Sequence, residues 1–142
     1  MDVPEDFEAN LEQYEQALYS DPPLAESFLA YYQGELAGCA VFNQGFSVFS
    51  GFGVLNVLAV YVREAFRTKY VAFGIYLYLL ELARVRGLGQ VDGLVDAWNK
   101  PLHDFYRVTG AYRSETVLYE LYLNELDEEQ RRRIMRRYIS DP

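Results

Sequence analysis

The sequence predicts an α+β fold, and three observations predict it. Short segments of alternating or wholly apolar character dominate the first half of the chain, at strand length. A longer pattern of helical period follows Arg67, with apolar residues at Ala72, Ile75, Leu79, Leu82 and Val85. No repeat and no linker composition interrupts the 142 residues, so they read as a single domain. A chain of this length buries roughly two-thirds of its unfolded surface. The expected parts are an N-terminal helix region over 1–24, a core over 25–123 and a C-terminal helix over 124–142.

Each element has its own signal. From Glu5 to Tyr19, Phe7, Leu11, Tyr14 and Leu18 recur at helical spacing, and Asp21-Pro22-Pro23 stops the helix. Phe28–Tyr32 and Leu36–Asn43 read as strands joined by a tight turn at Gln33-Gly34-Glu35. Residues 44–53, rich in Gly, Ser and Phe, read as a loop or frayed edge. Val54–Val62 is almost wholly apolar, as a central strand covered on both faces should be. The helix after Arg67 stops at Gly87 and Gly89. Val91–Trp98 reads as a further strand, and Lys100–Val108 as a short helix with Asn99 as its cap, Pro101 in its first turn and Gly110 beyond its end. Thr116–Leu123 alternates like a strand. The tail from Glu125 to Tyr138 starts acidic and ends basic, matching a helix dipole. Its basic run, Arg131 to Arg137, reads as a solvated face.

Composition excludes several classes. A net charge of −8 argues against nucleic acid, because phosphate neutralisation needs a basic face. No apolar run reaches the ~20 residues that span a bilayer, so no membrane association is expected. The acidic start MDVPEDFEANLEQ lacks the basic and apolar regions of a signal peptide. The single Cys39 allows no internal disulfide and suits a reducing cytoplasm; inside an apolar strand it reads as a buried small hydrophobe. No paired Cys, second His or HExxH pattern supports a metal, and no GxSxG supports a serine nucleophile. The 13 Tyr and 9 Phe fit strand propensity and core packing, with a Tyr-rich subunit interface as the sharper alternative.

The stretch that carries chemistry runs from Arg67 to Ala111. Arg67 opens the main helix, Trp98-Asn99-Lys100-Pro101 ends a strand and starts a helix, Phe105-Tyr106 lies on that helix, and Gly110-Ala111 closes it. This string resembles the GNAT superfamily of N-acetyltransferases, and within it the diamine (spermidine/spermine-type) acetyltransferases. The likeness is continuous from Val62 to Ala111 and looser from the Gly34-Glu35-Leu36-Ala37-Gly38 hairpin to Leu123.

The resemblance implies a mixed, mostly antiparallel sheet, splayed at its centre between the Val54–Val62 and Val91–Trp98 strands and flanked by helices. Acetyl-CoA would sit in the opening, against main-chain groups of Val60 and Val62. Its pyrophosphate would rest on the turn Arg67-Thr68-Lys69-Tyr70-Val71-Ala72, where a helix start offers unpaired N–H groups and the positive end of its dipole. Asn99 would contact the pantetheine arm besides capping its helix. Tyr106 would be the general acid that protonates the departing thiolate, a task a neutral phenol suits; the plainer account is an aromatic packed on the sheet. His103 is a lesser alternative as base. The nearest carboxylates are Glu64, Asp92 and Asp96, of which Asp96 is the candidate base or amine anchor, with a structural role as the alternative. The acceptor implied is a primary amine, on a small molecule or a lysine side chain.

The sequence departs from the pattern at three places. Tyr70 stands where the family has its first Gly. Leu58-Ala59 replace the Glu-Asp pair with which diamine acetyltransferases hold their polyamine. The family's first strand and helix are expected to be absent ahead of the helix near Glu5, leaving an open sheet edge that favours a homodimer. These departures support a second reading, a non-catalytic GNAT-like binding or assembly module with weak or no CoA binding. A third is a GNAT domain for another acyl carrier or nucleotide.

Overall fold

The computed structural model describes residues 9–139. The chain divides after Asn99 into two compact units, taken in turn here.

The first unit opens with helix α1, Leu11–Tyr19. Asn10 caps it through a reciprocal box: its Oδ1 accepts the Gln13 N–H at 2.9 Å, and Gln13 Oε1 accepts the Asn10 N–H at 2.9 Å. The start expected near Glu5 lies partly outside the described residues, and within them the helix begins at Leu11.

Strands β1 (Glu26–Tyr32) and β2 (Glu35–Phe46) pair antiparallel. Gln33 and Gly34 join them with φ of 48° and 83°, the mirror-image turn whose twist matches two hairpin strands. Strand β3, Gly53–Val62, pairs antiparallel with β2 from Gly38↔Val62 to Phe46↔Gly53. The loop expected over 44–53 therefore shrinks to a tip. Gln44 to Phe46 are uncharged and stay in the ladder, and the Ser47 N–H closes the turn on the Phe52 carbonyl at 3.0 Å.

A short 3-10 turn, Glu64–Phe66, leads to helix α2, Val71–Val85. Its core face is Ile75, Tyr76, Leu79 and Ala83, the recurrence expected of a helix on a sheet. These pack on Ala40, Phe42, Leu55 and Val57, with Leu55 and Leu79 fully enclosed. Burying a side chain such as Leu79 contributes about 1.5–3 kcal/mol. Gly87 ends the helix as foreseen: its N–H bonds the Arg84 carbonyl at 3.1 Å and that of Leu88 bonds Ala83 at 2.9 Å, a Schellman close. Arg86, at the helix end, grips both Glu26 carboxylate oxygens and lies over the Phe42 ring. It thereby ties α2 to β1 and β2.

Strand β4, Gln90–Gly93, pairs parallel with β3 from Val54↔Gln90 to Val57↔Gly93. The sheet order β1-β2-β3-β4 is thus mixed and mostly antiparallel, and the α+β class is as expected. The strand expected over Val91–Trp98 is shorter than the apolar pattern suggested. Its register with β3 ends at Val57, Leu94 and Trp98 are exposed, and the Asn99 N–H turns back onto the Asp96 carbonyl at 3.0 Å.

The second unit holds helices α3 (Lys100–Val108) and α4 (Glu128–Tyr138). Gly110 closes α3 with a second Schellman pair, Gly110 N–H to Arg107 and Ala111 N–H to Tyr106. Asp127 and Gln130 form a capping box on α4. The strand expected over Thr116–Leu123 does not form: residues 111–122 carry no regular element, and Val117, Tyr119, Leu121 and Leu123 are exposed. Alternation specifies which way side chains would face, whereas a strand also needs a neighbour to satisfy its backbone.

Candidate active site

The site expected from the sequence is built around the end of β3. Val41 pairs with Ala59 and Phe42 with Val57, so Leu58 is an extra residue and β3 bulges there. The bulge sits one residue past the last β3–β4 pair, Val57↔Gly93. Bulges leave main-chain groups outside the regular ladder and redirect the strand. From Leu58 to Val62, β3 keeps β2 on one side and has no strand on the other among the described residues. This is the opening in the sheet, and Val60 and Val62 lie along it.

Beyond Val62 the chain doubles back through a tight connection. The Arg63 N–H bonds the Ala37 carbonyl at 2.8 Å, and its guanidinium holds the Leu36 carbonyl at 2.8 Å. Phe66 is buried under Tyr32, with ring centroids 6.0 Å apart. Arg67 Nε donates to the Val62 carbonyl at 3.1 Å. Two residues expected at the cofactor site are thereby joined directly. The Lys69 N–H then closes on Phe66 at 3.1 Å.

Tyr70 follows as the N-cap of α2, with φ 59° and ψ 24°. This is the left-handed region, which costs a non-glycine residue roughly 1–2 kcal/mol. The backbone here adopts what a glycine would adopt, and the side chain is carried outward, 83% exposed. The cap makes no side-chain bond to the first turn of α2, and that turn contains no acid. Neither the cap nor the first turn therefore supplies a carboxylate to its N–H groups and dipole end. Arg67 and Lys69 precede it, and no carboxylate pairs with either among the described residues. Arg67, Thr68, Lys69, Tyr70, Val71 and Ala72 thus form one continuous basic turn into a helix. Its chemistry fits a phosphate-bearing group.

The other expected residues are carried by other elements. Asp96 and Asn99 share the turn that follows β4, and both are engaged. Tyr106 lies on α3 in the second unit, where its ring meets Phe105 edge-on at 5.9 Å. Its carbonyl takes the Thr109 hydroxyl at 2.6 Å as well as the Ala111 N–H at 3.2 Å. His103 sits one turn earlier on α3. Leu58 and Ala59 are both exposed. Burial pushes the Cys39 thiol up from its ordinary value, which keeps it protonated and disfavours it as a nucleophile.

Comparison with known families gives the decisive observation. The model of the Acetyltransferase (GNAT) family matches residues 2–111. The chain belongs to the GNAT family.

Solved structures agree with this GNAT chain in fold. An integron cassette protein from the mobile metagenome of V. cholerae superposes with a TM-score of 0.70 at 18% identity, covering 85% of this chain and 78% of that one. A ribosomal-protein-alanine N-acetyltransferase from Brucella melitensis biovar Abortus gives 0.64 at 20% identity, with 82% and 83% covered. An aminoglycoside N-acetyltransferase in complex with CoA gives 0.64 at 19% identity, with 79% and 84% covered. No curated protein sequence matches significantly. GNAT acetyltransferases use acetyl-CoA. Among the described residues no group of His, Cys, Asp and Glu is placed to hold a metal, and no helix is long and apolar enough to cross a membrane.

Sequence reasoning passed over a polar strip on the sheet. Asn43, Asn56, Gln90 and Asp92 occupy register positions on the face opposite α2 and are linked by hydrogen bonds. The available signal was Asn56 itself, the lone polar residue within an otherwise apolar strand.

Proposed function

We propose that this chain is an N-acetyltransferase that moves an acetyl group from acetyl-CoA to a primary amine, on a small molecule or a lysine side chain. The observation that supports this reading best is Tyr70, whose backbone takes the left-handed conformation that glycine favours although its side chain is not glycine. The first turn of α2 carries no side-chain cap and no acid, and the Tyr70 ring is exposed rather than packed into the turn.

Acetyl-CoA supplies the acetyl group as a thioester. Arg67, Lys69 and the main chain of Thr68, Tyr70, Val71 and Ala72 hold the pyrophosphate. The main chain of Val57 to Val60, loosened by the bulge at Leu58, polarises the thioester carbonyl, and Val60, Val62 and Asn99 align the pantetheine arm. Tyr106 gives its phenolic proton to the leaving sulfur. Asp96 takes the proton released by the attacking amine. Leu58-Ala59 lack the carboxylates of the diamine branch, so the kinship with that branch extends to the Trp98–Ala111 string and stops short of polyamine selectivity. Strand β1 is a sheet edge with one flank unpaired among the described residues, and a second copy pairing there gives a homodimer. We place the protein in the reducing cytoplasm, where a single unpaired Cys39 is stable.

Titration calorimetry with acetyl-CoA tests the reading. A dissociation constant below about 100 μM, weakened by Arg67→Ala, supports it. Absence of binding at millimolar acetyl-CoA would replace it with the binding-module reading.

A further inference from the structure

The polar strip on the sheet face opposite α2 has a fixed hydrogen-bond direction. The Leu24 carbonyl can only accept, so the Asn43 bond to it, at 3.4 Å, comes from the Asn43 amide nitrogen. The Asn43 amide oxygen consequently faces Asn56 and accepts its Nδ2–H at 3.1 Å. This leaves the Asn56 Oδ1 pointing onward as an acceptor. A second chain runs in from the other side. Ser50 Oγ, which accepts the Phe52 N–H at 3.2 Å, donates to Gln90 Oε1 at 2.7 Å. Gln90 Nε2 then donates to Asp92 Oδ1 at 2.8 Å. Asp92 Oδ2 is left as the end of that chain.

Both chains therefore terminate in oxygen. Asn56 and Asp92 are direct partners in the parallel register of β3 and β4, so their side chains leave the same face of neighbouring strands, about 4.8 Å apart. No donor reaches Asn56 Oδ1 or Asp92 Oδ2 among the described residues. One is a carboxylate open to solvent and the other a half-buried amide oxygen, so the pair suits a cationic donor with at least two N–H bonds. An ammonium bound to two oxygens at about 2.8 Å each holds them roughly 4.5 Å apart, a separation open to side chains rising from strands about 4.8 Å apart. The pair also sits one residue before Val57↔Gly93, where β3 and β4 stop pairing.

We infer that Asn56 and Asp92 form the subsite that grips the primary ammonium group of the acceptor, with Asn43, Gln90 and Ser50 as positioning residues. The inference rests on the amine-acceptor reading above and names its binding residues. Asp92, rather than Asp96, is then the carboxylate that selects a cation.

The test is a titration followed by NMR of the side-chain amide groups of Asn56 and Gln90, at constant ionic strength and without acetyl-CoA. The probes are n-butylammonium chloride and n-butyltrimethylammonium chloride, which share a charge but differ in N–H donors. Saturable shifts of both amides with the first probe, and at least about tenfold weaker response to the second, are expected. Asp92→Asn should weaken n-butylammonium binding at least about tenfold while backbone amide resonances of β3 and β4 stay in place. Asn56→Leu should do the same through the other oxygen. Equal curves for the two probes, no saturable shift, or an unchanged response in folded Asp92→Asn would overturn the proposal. Ammonium binding in a chain that fails to bind acetyl-CoA would sink the transferase reading and keep this subsite. Acetyl-CoA binding without the amide shifts would do the reverse.

Discussion

The Nε of Arg67 donates to the main-chain carbonyl of Val62 at 3.1 Å, closing the connection between β3 and α2 from within. One guanidinium thus serves two ends. Nε fixes the strand terminus, and the terminal nitrogens remain to meet an anion. A lysine ammonium is a compact point donor without the guanidinium's fixed fork, so it holds a carbonyl and a separate anion together less well. Arg67→Lys should therefore weaken acetyl-CoA binding about tenfold by calorimetry, and Arg67→Ala at least as much. Arg67→Ala should also cost about 0.5–1.5 kcal/mol in urea unfolding, since an exposed hydrogen bond is lost.

Beside the same end of β3, β2 leaves no room for a side chain at Gly38. A Cβ placed on Gly38 would meet the Tyr61 carbonyl oxygen and would stand 3.3 Å from the Val62 Cα and 3.4 Å from Ile75 Cδ1. Backbone cannot yield as a flexible side chain can. Gly38→Ala should destabilise the fold by about 1–3 kcal/mol and weaken acetyl-CoA binding as Val62 is displaced. A variant with wild-type stability and affinity would show that β2 does not set the position of Val62.

Much of this architecture was legible in the sequence where a local rule and the tertiary environment agreed. The Lys100–Val108 helix, the Gln33-Gly34 hairpin and the Gly87 stop each carry their own chemistry, and the structure has them where expected. The failures came where the deciding partner lies far away in sequence. Val91–Trp98 had the apolar run of a strand, but β3 offers register only as far as Val57. Thr116–Leu123 alternates cleanly and still forms no ladder. The Arg67–Ala72 turn was singled out through its likeness to the family's pattern, which a contiguous segment can carry. The Asn56–Asp92 pair could not be, because a parallel register between strands is not written into either segment.

Arg86 gives a pH-dependent test of how the first unit is held. Its guanidinium hydrogen-bonds the Glu26 carboxylate at 2.7 and 2.9 Å, which outweighs partial burial and holds that carboxyl below its usual range. A lowered folded-state value means that the stabilisation is present above the unfolded value and disappears as the pH falls through the folded one. Both partners are partly exposed, so the contribution is about 0.5–1 kcal/mol after solvent screening. Urea unfolding of Glu26→Gln should show that deficit at pH 7 and lose most of it by pH 3. An equal deficit at both pH values would mean that packing over Phe42, rather than charge, carries the contact.

Tyr106 is open to a kinetic test. If its phenol donates the proton to the leaving sulfur, Tyr106→Phe should lower turnover about 10²- to 10⁴-fold and leave acetyl-CoA affinity unchanged. Loss of affinity with unchanged turnover would assign the ring to packing instead.

Tyr70 is the residue at which stability and function can be separated. Its backbone sits at φ 59° and its ring is 83% exposed, so replacing it by glycine removes strain and little packing. Glycine gains about 1 kcal/mol from the left-handed conformation but loses a similar amount through its freer unfolded chain. Tyr70→Gly should consequently unfold within about 0.5 kcal/mol of wild type. Acetyl-CoA affinity is the informative measurement. If the ring stays clear of the phosphates, as its outward exposure implies, the glycine variant binds within about threefold of wild type, a difference well under one hydrogen bond. If the variant instead binds tenfold tighter or more, the ring obstructs the turn. The natural chain would then be held away from the cofactor by one side chain on an otherwise competent backbone.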